Sequence, residues 1–345
     1  MKGNEAVVGG AILGGATHFF GYPITPASEV AHAAALYFPR AGGTFLQAES
    51  EVNAINMIYG AAAAGVRTMT ATSGPGVSLM TEGISYISSA ELPCVIVDVQ
   101  RAGPGLGNIW PEQGDYHLVT KGAGHGDFRS IVLAPASAQE MCDFTYRAFE
   151  LADAHRIVVF ILSDAYIGQM MEPVELPTAV KRPAPKPWAL HADPASRQNL
   201  ITSIYMSQKT QGEHCRRLAE KARRIEREFV EFEEFMTEDA EVVFVAFGIA
   251  ARVCYSAVQN IRKAGHKAGL LRPKTLWPFP AERLAQLGES AKKMAVVELN
   301  SGQMAEDVER AVRCRVPVLR FNWMGGEVPS ARGLIERVRG EGLFT

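Results

Sequence analysis

Residues 94–100 read CVIVDVQ, and this nearly unbroken apolar run indicates the fold class. Because its apolar residues do not alternate with polar ones, the run is typical of a strand buried on both faces of a parallel sheet. Similar runs lie on either side of it, and Ala-rich stretches with helical spacing separate them. The pattern predicts strands at 18–22, 67–73, 94–100, 130–134 and 156–163, and helices at 27–37, 50–64 and 137–152. This alternation predicts a doubly wound α/β layer.

Two further stretches follow this layer. Residues 173–194 contain six prolines, a density that predicts an extended connector, and residues 213–236 have the charged, helical spacing of a solvated helix. From residue 240 the α/β pattern resumes, and it predicts a second, smaller parallel-sheet domain. Its predicted strands are 242–247, 268–271, 294–298 and 316–321, with helices at 250–264 and 303–312. We therefore expect domains at 1–176 and 240–345, joined by a connector at 177–239.

The composition excludes several classes of protein. The chain has 345 residues, of which 47% are hydrophobic, and its 35 basic and 37 acidic residues give a net charge of −2. This balance argues against nucleic-acid binding and against docking to a membrane through a basic patch. No apolar run approaches the ~20 residues of a membrane helix. The apolar stretch 6–16 contains four glycines and follows Glu5, so we expect a helix of the mature chain and no secretory signal.

The five cysteines are separated by at least 39 residues and form no CxxC pair. Such spacing argues against a zinc site or an iron–sulfur cluster held by this chain alone. Scattered thiols in apolar surroundings are typical of proteins from a reducing cytoplasm, and we expect that location.

Four segments that follow or flank predicted strands are candidates for chemistry: 21–26 (GYPITP), 49–54 (ESEVNA), 70–76 (TATSGPG) and 101–108 (RAGPGLGN). In α/β folds ligands bind at the carboxyl ends of parallel strands. An arginine beside glycines at such an edge suits a carboxylate, because its planar fork matches two oxygens. Taken singly, each segment also fits an ordinary turn or helix start.

In this order, however, the four segments resemble the alpha-type subunit of the 2-oxoacid:ferredoxin oxidoreductases. Residues 269–280 (GLLRPKTLWPFP) and 297–304 (VELNSGQM) are similar to the second domain of that family, which is transketolase-C-like. The resemblance covers nearly the whole chain except the proline-rich connector and the helix after it. It implies an α/β fold with two parallel-sheet domains, a thiamine-diphosphate-binding domain of the pyrimidine type followed by a transketolase-C-like domain.

Enzymes of this family use thiamine diphosphate to decarboxylate a 2-oxoacid oxidatively, with coenzyme A as acyl acceptor and ferredoxin as electron acceptor. In thiamine enzymes a glutamate contacts the aminopyrimidine ring and promotes loss of the thiazolium C2 proton. The resemblance assigns this role to Glu51, with Glu49 as the weaker candidate. It also implies that Thr25 and Arg101 bind the substrate. The cofactor-binding residues that it implies are Tyr22, Pro23, Ile24, Glu51, Ser73, Gly74 and Pro75.

Parts of the family's machinery have no counterpart in this sequence. The diphosphate usually needs a Gly-Asp-Gly motif with a later Asn to hold magnesium, and the Gly-Asp pairs at 114–115 and 126–127 lack that continuation. We expect no metal ligand in this chain. A beta-type subunit would bring the diphosphate and Mg²⁺ site and a [4Fe-4S] cluster, and gamma and ferredoxin-like subunits would complete an assembly without which the chain is inactive.

The substrate is less strongly indicated. Residues 2–8 (KGNEAVV) and 90–99 (AELPCVIVDV) resemble the branched-chain type, which acts on 3-methyl-2-oxobutanoate (2-ketoisovalerate). The 2-oxoglutarate type shares most of these motifs, and pyruvate or an aromatic 2-oxoacid also stays open. A non-catalytic scaffold of two Rossmann-like domains is the alternative from another class. We expect the final domain to build interfaces and to supply no catalytic group.

Overall fold

A computed structural model describes residues 1–344. The strands of the first half are β1 (His18–Gly21), β2 (Thr44–Gln47), β3 (Thr68–Thr72), β4 (Cys94–Gln100), β5 (Ile131–Leu133) and β6 (Val158–Asp164). Those of the second half are β7 (Phe232–Phe235), β8 (Val242–Val245), β9 (Ala268–Pro273), β10 (Thr275–Trp277), β11 (Lys293–Glu298) and β12 (Val318–Asn322). They form a seven-stranded sheet of order β10-β5-β6-β4-β3-β1-β2 and a five-stranded sheet of order β12-β11-β8-β9-β7.

Helices connect and cover these strands. In the first half they are α1 (Gly3–Leu13), α2 (Ser28–Arg40), α3 (Glu51–Ala63), α4 (Gly74–Ser89), α5 (Ala138–His155) and α6 (Ala165–Gln169). In the second half they are α7 (Gln208–Glu228), α8 (Gly248–Lys263), α9 (Ala281–Ser290), α10 (Gln303–Val312) and α11 (Ala331–Gly340). Every residue of β3, β4 and β6 is buried, which accounts for the nearly continuous apolar sequences of β4 and β6.

The glycines that interrupt the apolar stretch 6–16 allow α1 to pack closely against α5. A Cβ built on Gly10 would overlap the backbone carbonyl oxygen of Cys142 in α5. Val7, Val8 and Ala11 of the same helix are fully buried. The stretch is therefore a core helix, as its glycines and the preceding acidic residue predict. No helix within residues 1–344 combines the length and apolarity that crossing a membrane requires.

The sheets are mostly, but not entirely, parallel. At the edge of the second sheet β7 runs antiparallel to β9, and at the edge of the first β10 runs antiparallel to β5. The helix expected over 213–236 instead spans Gln208–Glu228, and Phe232–Phe235 beyond it is a strand. Edge strands such as β2 and β7 are short and partly exposed, so their sequences lack the apolar run that identifies central strands.

The first sheet takes in a strand from the second half of the sequence. Although β10 lies beyond residue 240, it pairs with β5 in the seven-stranded sheet, where the Ala134 backbone N–H donates to the carbonyl of Lys274 at 2.8 Å. Nearby, the buried Arg272 of β9 hydrogen-bonds Glu140 of α5 at 2.6 and 2.8 Å and Glu233 of β7 at 2.7 Å. The two sheets are therefore joined by backbone pairing and by a buried guanidinium.

Candidate active site

The four candidate segments lie at one edge of the first sheet. They are associated with β1, β2, β3 and β4, which are parallel neighbours in the order β4-β3-β1-β2. Since the carboxyl ends of parallel strands face the same way, the loops that leave these strands open on a single edge. Residues far apart in sequence thereby meet in one place.

Glu51 is the first residue of α3, and only 5% of it is exposed. Ser50 caps the helix, and its hydroxyl accepts a hydrogen bond from the backbone N–H of Asn53 at 3.4 Å. A Cβ built on Gly76 would lie 2.7 Å from Oε1 of Glu51 and would overlap Oγ1 of Thr72. The first turn of α4 therefore approaches the Glu51 carboxylate only because residue 76 has no side chain.

Arg101 and Thr25 are in contact although 76 positions separate them. The Arg101 Nη1 donates to the backbone carbonyl of Thr25 at 2.8 Å. Its Nε is buried and has no hydrogen-bond partner within the described residues, whereas Thr25 is exposed. The Asn4 side chain of α1 donates to the carbonyl of Pro26 at 2.9 Å and so fixes the loop that carries Thr25. Guanidinium donors thus remain for a carboxylate, whose two oxygens match the planar fork.

The other sequence-predicted residues occupy two loops of this edge. Tyr22 and Pro23 are exposed and Ile24 is partly buried in the loop after β1. Ser73 occupies the N-cap position of α4 and is fully buried, but its hydroxyl makes no capping hydrogen bond and has no other partner in the described part of the chain. Gly74 and Pro75, which follow it, line the same cavity as Arg101.

Glu112 connects the Arg101 loop to the second half of the chain, and no sequence motif singles it out. The buried carboxylate accepts hydrogen bonds from the backbone N–H groups of Gly103 and Gly325, each at 2.8 Å. Gln113 adds four hydrogen bonds across the same boundary, one of them accepted by its backbone carbonyl from Nδ2 of Asn300 at 2.8 Å. Its backbone N–H donates to the carbonyl of Leu299 at 2.8 Å, its Oε1 accepts from the Leu299 N–H at 3.0 Å, and its Nε2 donates to the carbonyl of Phe247 at 2.9 Å.

Asp98 and Asp115 also lie at this edge, and sequence reasoning weighed Asp115 only as half of a Gly-Asp pair. A Cβ on Gly74 would lie 2.6 and 2.7 Å from the two Asp115 oxygens, so this carboxyl rests on the start of α4. Burial raises the pKa of Asp115 to about 7, and the negative charge of Glu112 adds to the rise while Arg101 opposes it. Burial also raises the pKa of Asp98 well above its usual range, and the charge of Asp115 raises it further.

Arg101, Glu112 and Asp115 line a cavity of about 580 Å³ between the two halves of the chain, whereas Thr25, Glu51 and Asp98 are not part of its wall. The first half contributes the start of α4, the loop after β4 and the segment around Asp115. The second half contributes the remaining wall, with Asn300, Ser301, Gln303 and Met324. The final stretch of the sequence therefore lines the cavity as well as packing against the first sheet.

Within residues 1–344 no group of three or more His, Cys, Asp or Glu side chains is placed to hold a metal ion. The five cysteines are unpaired: Cys94, Cys142 and Cys254 are buried, whereas Cys215 and Cys314 are exposed.

Comparison with known families agrees with this architecture. Residues 9–234 match the family described as "Pyruvate flavodoxin/ferredoxin oxidoreductase, thiamine diP-bdg", and residues 240–334 match "Pyruvate:ferredoxin oxidoreductase core domain II". The chain also resembles a solved 2-oxoglutarate:ferredoxin oxidoreductase from Magnetococcus marinus, bound to 2-oxoglutarate, coenzyme A and succinyl-CoA. The TM-score is 0.86 at 28% identity, and the match covers 99% of this chain and 64% of that one.

Similar proteins of known name support the same family assignment. The ketoisovalerate oxidoreductase subunit VorB of Methanothermobacter thermautotrophicus is 52% identical over 340 residues, which cover 98% of this chain and 96% of the relative. The 2-oxoglutarate synthase subunit KorA of Methanocaldococcus jannaschii is 38% identical over 99% of both chains. These findings argue against the non-catalytic scaffold that the strand and helix pattern alone allowed. The chain belongs to the pyruvate flavodoxin/ferredoxin oxidoreductase family, as an alpha-type subunit of a 2-oxoacid:ferredoxin oxidoreductase.

Proposed function

We propose that this chain supplies the pyrimidine half of a thiamine diphosphate site and that Glu51 contacts the aminopyrimidine ring. The observation that carries the proposal is the buried Glu51 carboxylate at the carboxyl edge of the sheet, faced by Gly76. The residues fit the group, because a carboxyl in a dry cleft can share a proton with a ring nitrogen and small residues admit a flat ring. When bound, the cofactor supplies the carbon nucleophile that attacks the 2-oxo group. Tyr22, Pro23 and Ile24 would border the ring together with Ser73, Gly74 and Pro75.

Arg101 and Thr25 would bind the substrate. The contact between Nη1 of Arg101 and the Thr25 carbonyl fixes the guanidinium, and the unpartnered Nε leaves a donor for the substrate carboxylate. A carboxylate is common to every 2-oxoacid, so this pair recognises the substrate class and not the individual side chain.

The best candidate substrate is 3-methyl-2-oxobutanoate, converted with coenzyme A into acyl-CoA, CO2 and reduced ferredoxin. Two relatives that are 52% and 53% identical to this chain are ketoisovalerate oxidoreductase subunits, which supports this choice. The cavity supports it too, because Arg101 is its only basic residue among those described and Glu112 and Asp115 are acidic. The second carboxylate of 2-oxoglutarate would meet no cation from this chain and two groups of its own sign. Pyruvate and aromatic 2-oxoacids lack that second charge, so the substrate panel below includes them.

Partner subunits would complete the enzyme. A beta-type subunit would hold the diphosphate with Mg²⁺ and a [4Fe-4S] cluster, and gamma and ferredoxin-like subunits would pass electrons to ferredoxin. The scattered, unpaired cysteines of this chain support that division of labour, and they also support a cytoplasmic location.

The test is to purify the chain with its partners under anaerobic conditions and to assay a panel of 2-oxoacids with coenzyme A and a viologen dye. We expect an iron–sulfur subunit to co-purify and dye reduction to be fastest with 3-methyl-2-oxobutanoate. Faster reduction with 2-oxoglutarate would overturn the substrate choice. A chain that purifies alone and binds no thiamine diphosphate with any partner would overturn the proposed function.

A further inference from the structure

Asp98 is the one acidic residue in the apolar strand β4, and it is fully buried. It lies opposite Thr72 of β3 and Leu162 of β6 in the sheet register. Neither of its carboxyl oxygens has a hydrogen-bond partner within residues 1–344. An ionised carboxylate is strongly disfavoured in such surroundings, so Asp98 needs a proton.

Asp115 lies near the face of β4 that carries Asp98, because it contacts Gln100, whose side chain is two positions along the strand and points to the same side. It rests on Gly74 and lines the cavity, and its backbone N–H donates to Oε1 of Gln100 at 3.1 Å. Its Oδ2 is buried and has no partner among the described groups. Two neighbouring carboxyls of this kind cannot both ionise readily, and they titrate as a pair. The charged groups that act on Asp115 are Glu112 and Arg101, and the charge of Asp115 in turn acts on Asp98.

Asp115 is also the available base of the cavity. Three residues of the described cavity wall carry titratable side chains, namely Arg101, Glu112 and Asp115. The Arg101 guanidinium carries only donors and offers no acceptor atom. Both oxygens of Glu112 are occupied, since Oε2 accepts from Gly103 and Oε1 from Gly325. Asp115 alone combines a free oxygen with a pKa, about 7, that suits general base catalysis at neutral pH.

We propose that Asp98 and Asp115 hold one proton between them and that Asp115 removes the proton of the acyl-accepting thiol. This inference rests on the proposed function, in which coenzyme A accepts the acyl group. The S–H bond breaks, its electron pair stays on sulfur, and an O–H bond forms on Asp115. Once two electrons have passed to the iron–sulfur acceptor of the partner subunits, the thiolate would form a C–S bond to the acyl carbon. The bond that holds the acyl group would break with its electron pair returning to the carbon nucleophile, and the proton would leave Asp115 for solvent through the cavity. The overall reaction releases one proton, and this step accounts for it.

The first experiment detects the shared proton directly, by infrared spectroscopy of the assembled complex between pH 5 and 9. We expect the carbonyl stretch of a protonated carboxylic acid to persist at pH 7 in the wild type. It should be lost at pH 7 in Asp98→Asn. In Asp115→Asn the band should persist but shift in frequency, because the buried Asp98 keeps its proton, and in the exposed control Asp127→Asn it should be unchanged. No such signal in the wild type, or a signal that disappears when Mg²⁺ or K⁺ is added, would overturn the proposal, the latter in favour of a bound cation.

The second experiment separates thiol chemistry from decarboxylation. In Asp115→Asn we expect coenzyme-A-dependent dye reduction at pH 7 to fall at least tenfold and to recover as the pH rises and more thiol ionises. The CO2 released in a first turnover without coenzyme A should stay as in the wild type. Equal loss of both activities, or no loss of either, would overturn the role of Asp115. A wild-type complex that is inactive on every 2-oxoacid would instead refute the proposed function, while the infrared result would still test the shared proton.

Discussion

Glu49 and Glu51 lie two positions apart, yet the fold places their side chains in different surroundings. Glu49 is exposed in the loop after β2, whereas Glu51 is buried at the start of α3 against Gly76. A sequence motif offers both as candidates, and only the approach of α4 separates them. Burial is what a group needs in order to share a proton with a ring nitrogen, so the geometry favours Glu51.

At the same scale, Arg101→Ala should weaken binding of every 2-oxoacid. A hydrogen bond to a charged group contributes about 1.5–3 kcal/mol, which corresponds to a rise in apparent KM of roughly tenfold to a hundredfold. Steady-state kinetics of the complex on a substrate panel would measure it, with Arg129→Ala, an exposed arginine, as control. A rise confined to one substrate would show that Arg101 contacts the side chain and not the carboxylate.

Some residues of the site could be predicted from sequence, and others could not. Thr25, Glu51 and Arg101 lie in motifs that follow strands, so a resemblance between short segments is enough to single them out. Asp98 lies inside an apolar strand, so no motif marks it. Glu112 links the two halves of the chain only because the fold brings Gly103 and Gly325, which are 222 positions apart, within hydrogen-bonding distance of its carboxylate. No local pattern carries such long-range information.

At the scale of elements, the start of α4 depends on Gly76. Gly76→Ala would bring a Cβ into Thr72 and Glu51, both of which are buried, and should displace α4 or the Glu51 side chain. We expect the complex to unfold at a lower temperature and to lose activity. The matched control is Gly60→Ala in α3, which meets nothing within 4 Å and should stabilise the helix by about 0.5–1 kcal/mol. Scanning calorimetry compares the two, and equal effects would contradict the packing argument.

Sequence patterns identify the central elements better than the edges of the sheets. The predicted strand 94–100 and helix 303–312 agree with β4 and α10 residue for residue. Strands β2, β7 and β10 escape prediction because they are three or four residues long and lie at sheet edges. The pairing of β10 with β5 is a long-range contact, and the periodicity of apolar residues along the sequence does not predict it.

At the scale of the whole molecule, Arg272 joins the two sheets. Burial alone would raise the pKa of Glu140. Hydrogen bonding to Arg272 nevertheless holds this pKa below its usual value. The folded-state pKa is depressed, so this stabilisation is present above the unfolded pKa of about 4.3 and is lost as the pH falls through the folded value.

Arg272→Met should therefore destabilise the protein by up to about 3–5 kcal/mol at pH 7, because it leaves the half-buried Glu140 with only the more distant Lys274 as a cation. The loss should shrink at a pH below the depressed folded-state pKa of Glu140, where this carboxyl is protonated in both states. Calorimetry of the complex at the two pH values would measure it. The control is Arg147→Met, which breaks a more exposed pair with Glu231 and should cost less than about 1 kcal/mol. A penalty for Arg272→Met that is the same at both pH values would refute the electrostatic origin.

The central claim is that this chain contributes the pyrimidine half of the cofactor site through Glu51. Its most direct test compares Glu51→Gln with Glu49→Gln in the assembled complex, measuring turnover, thiamine diphosphate content and subunit ratio. We predict that Glu51→Gln lowers turnover by roughly 10²–10⁴-fold, the usual contribution of a proton-transferring side chain, while assembly is unchanged and Glu49→Gln behaves as the wild type. Near-normal turnover of Glu51→Gln, or an equal loss in both variants, would contradict the account.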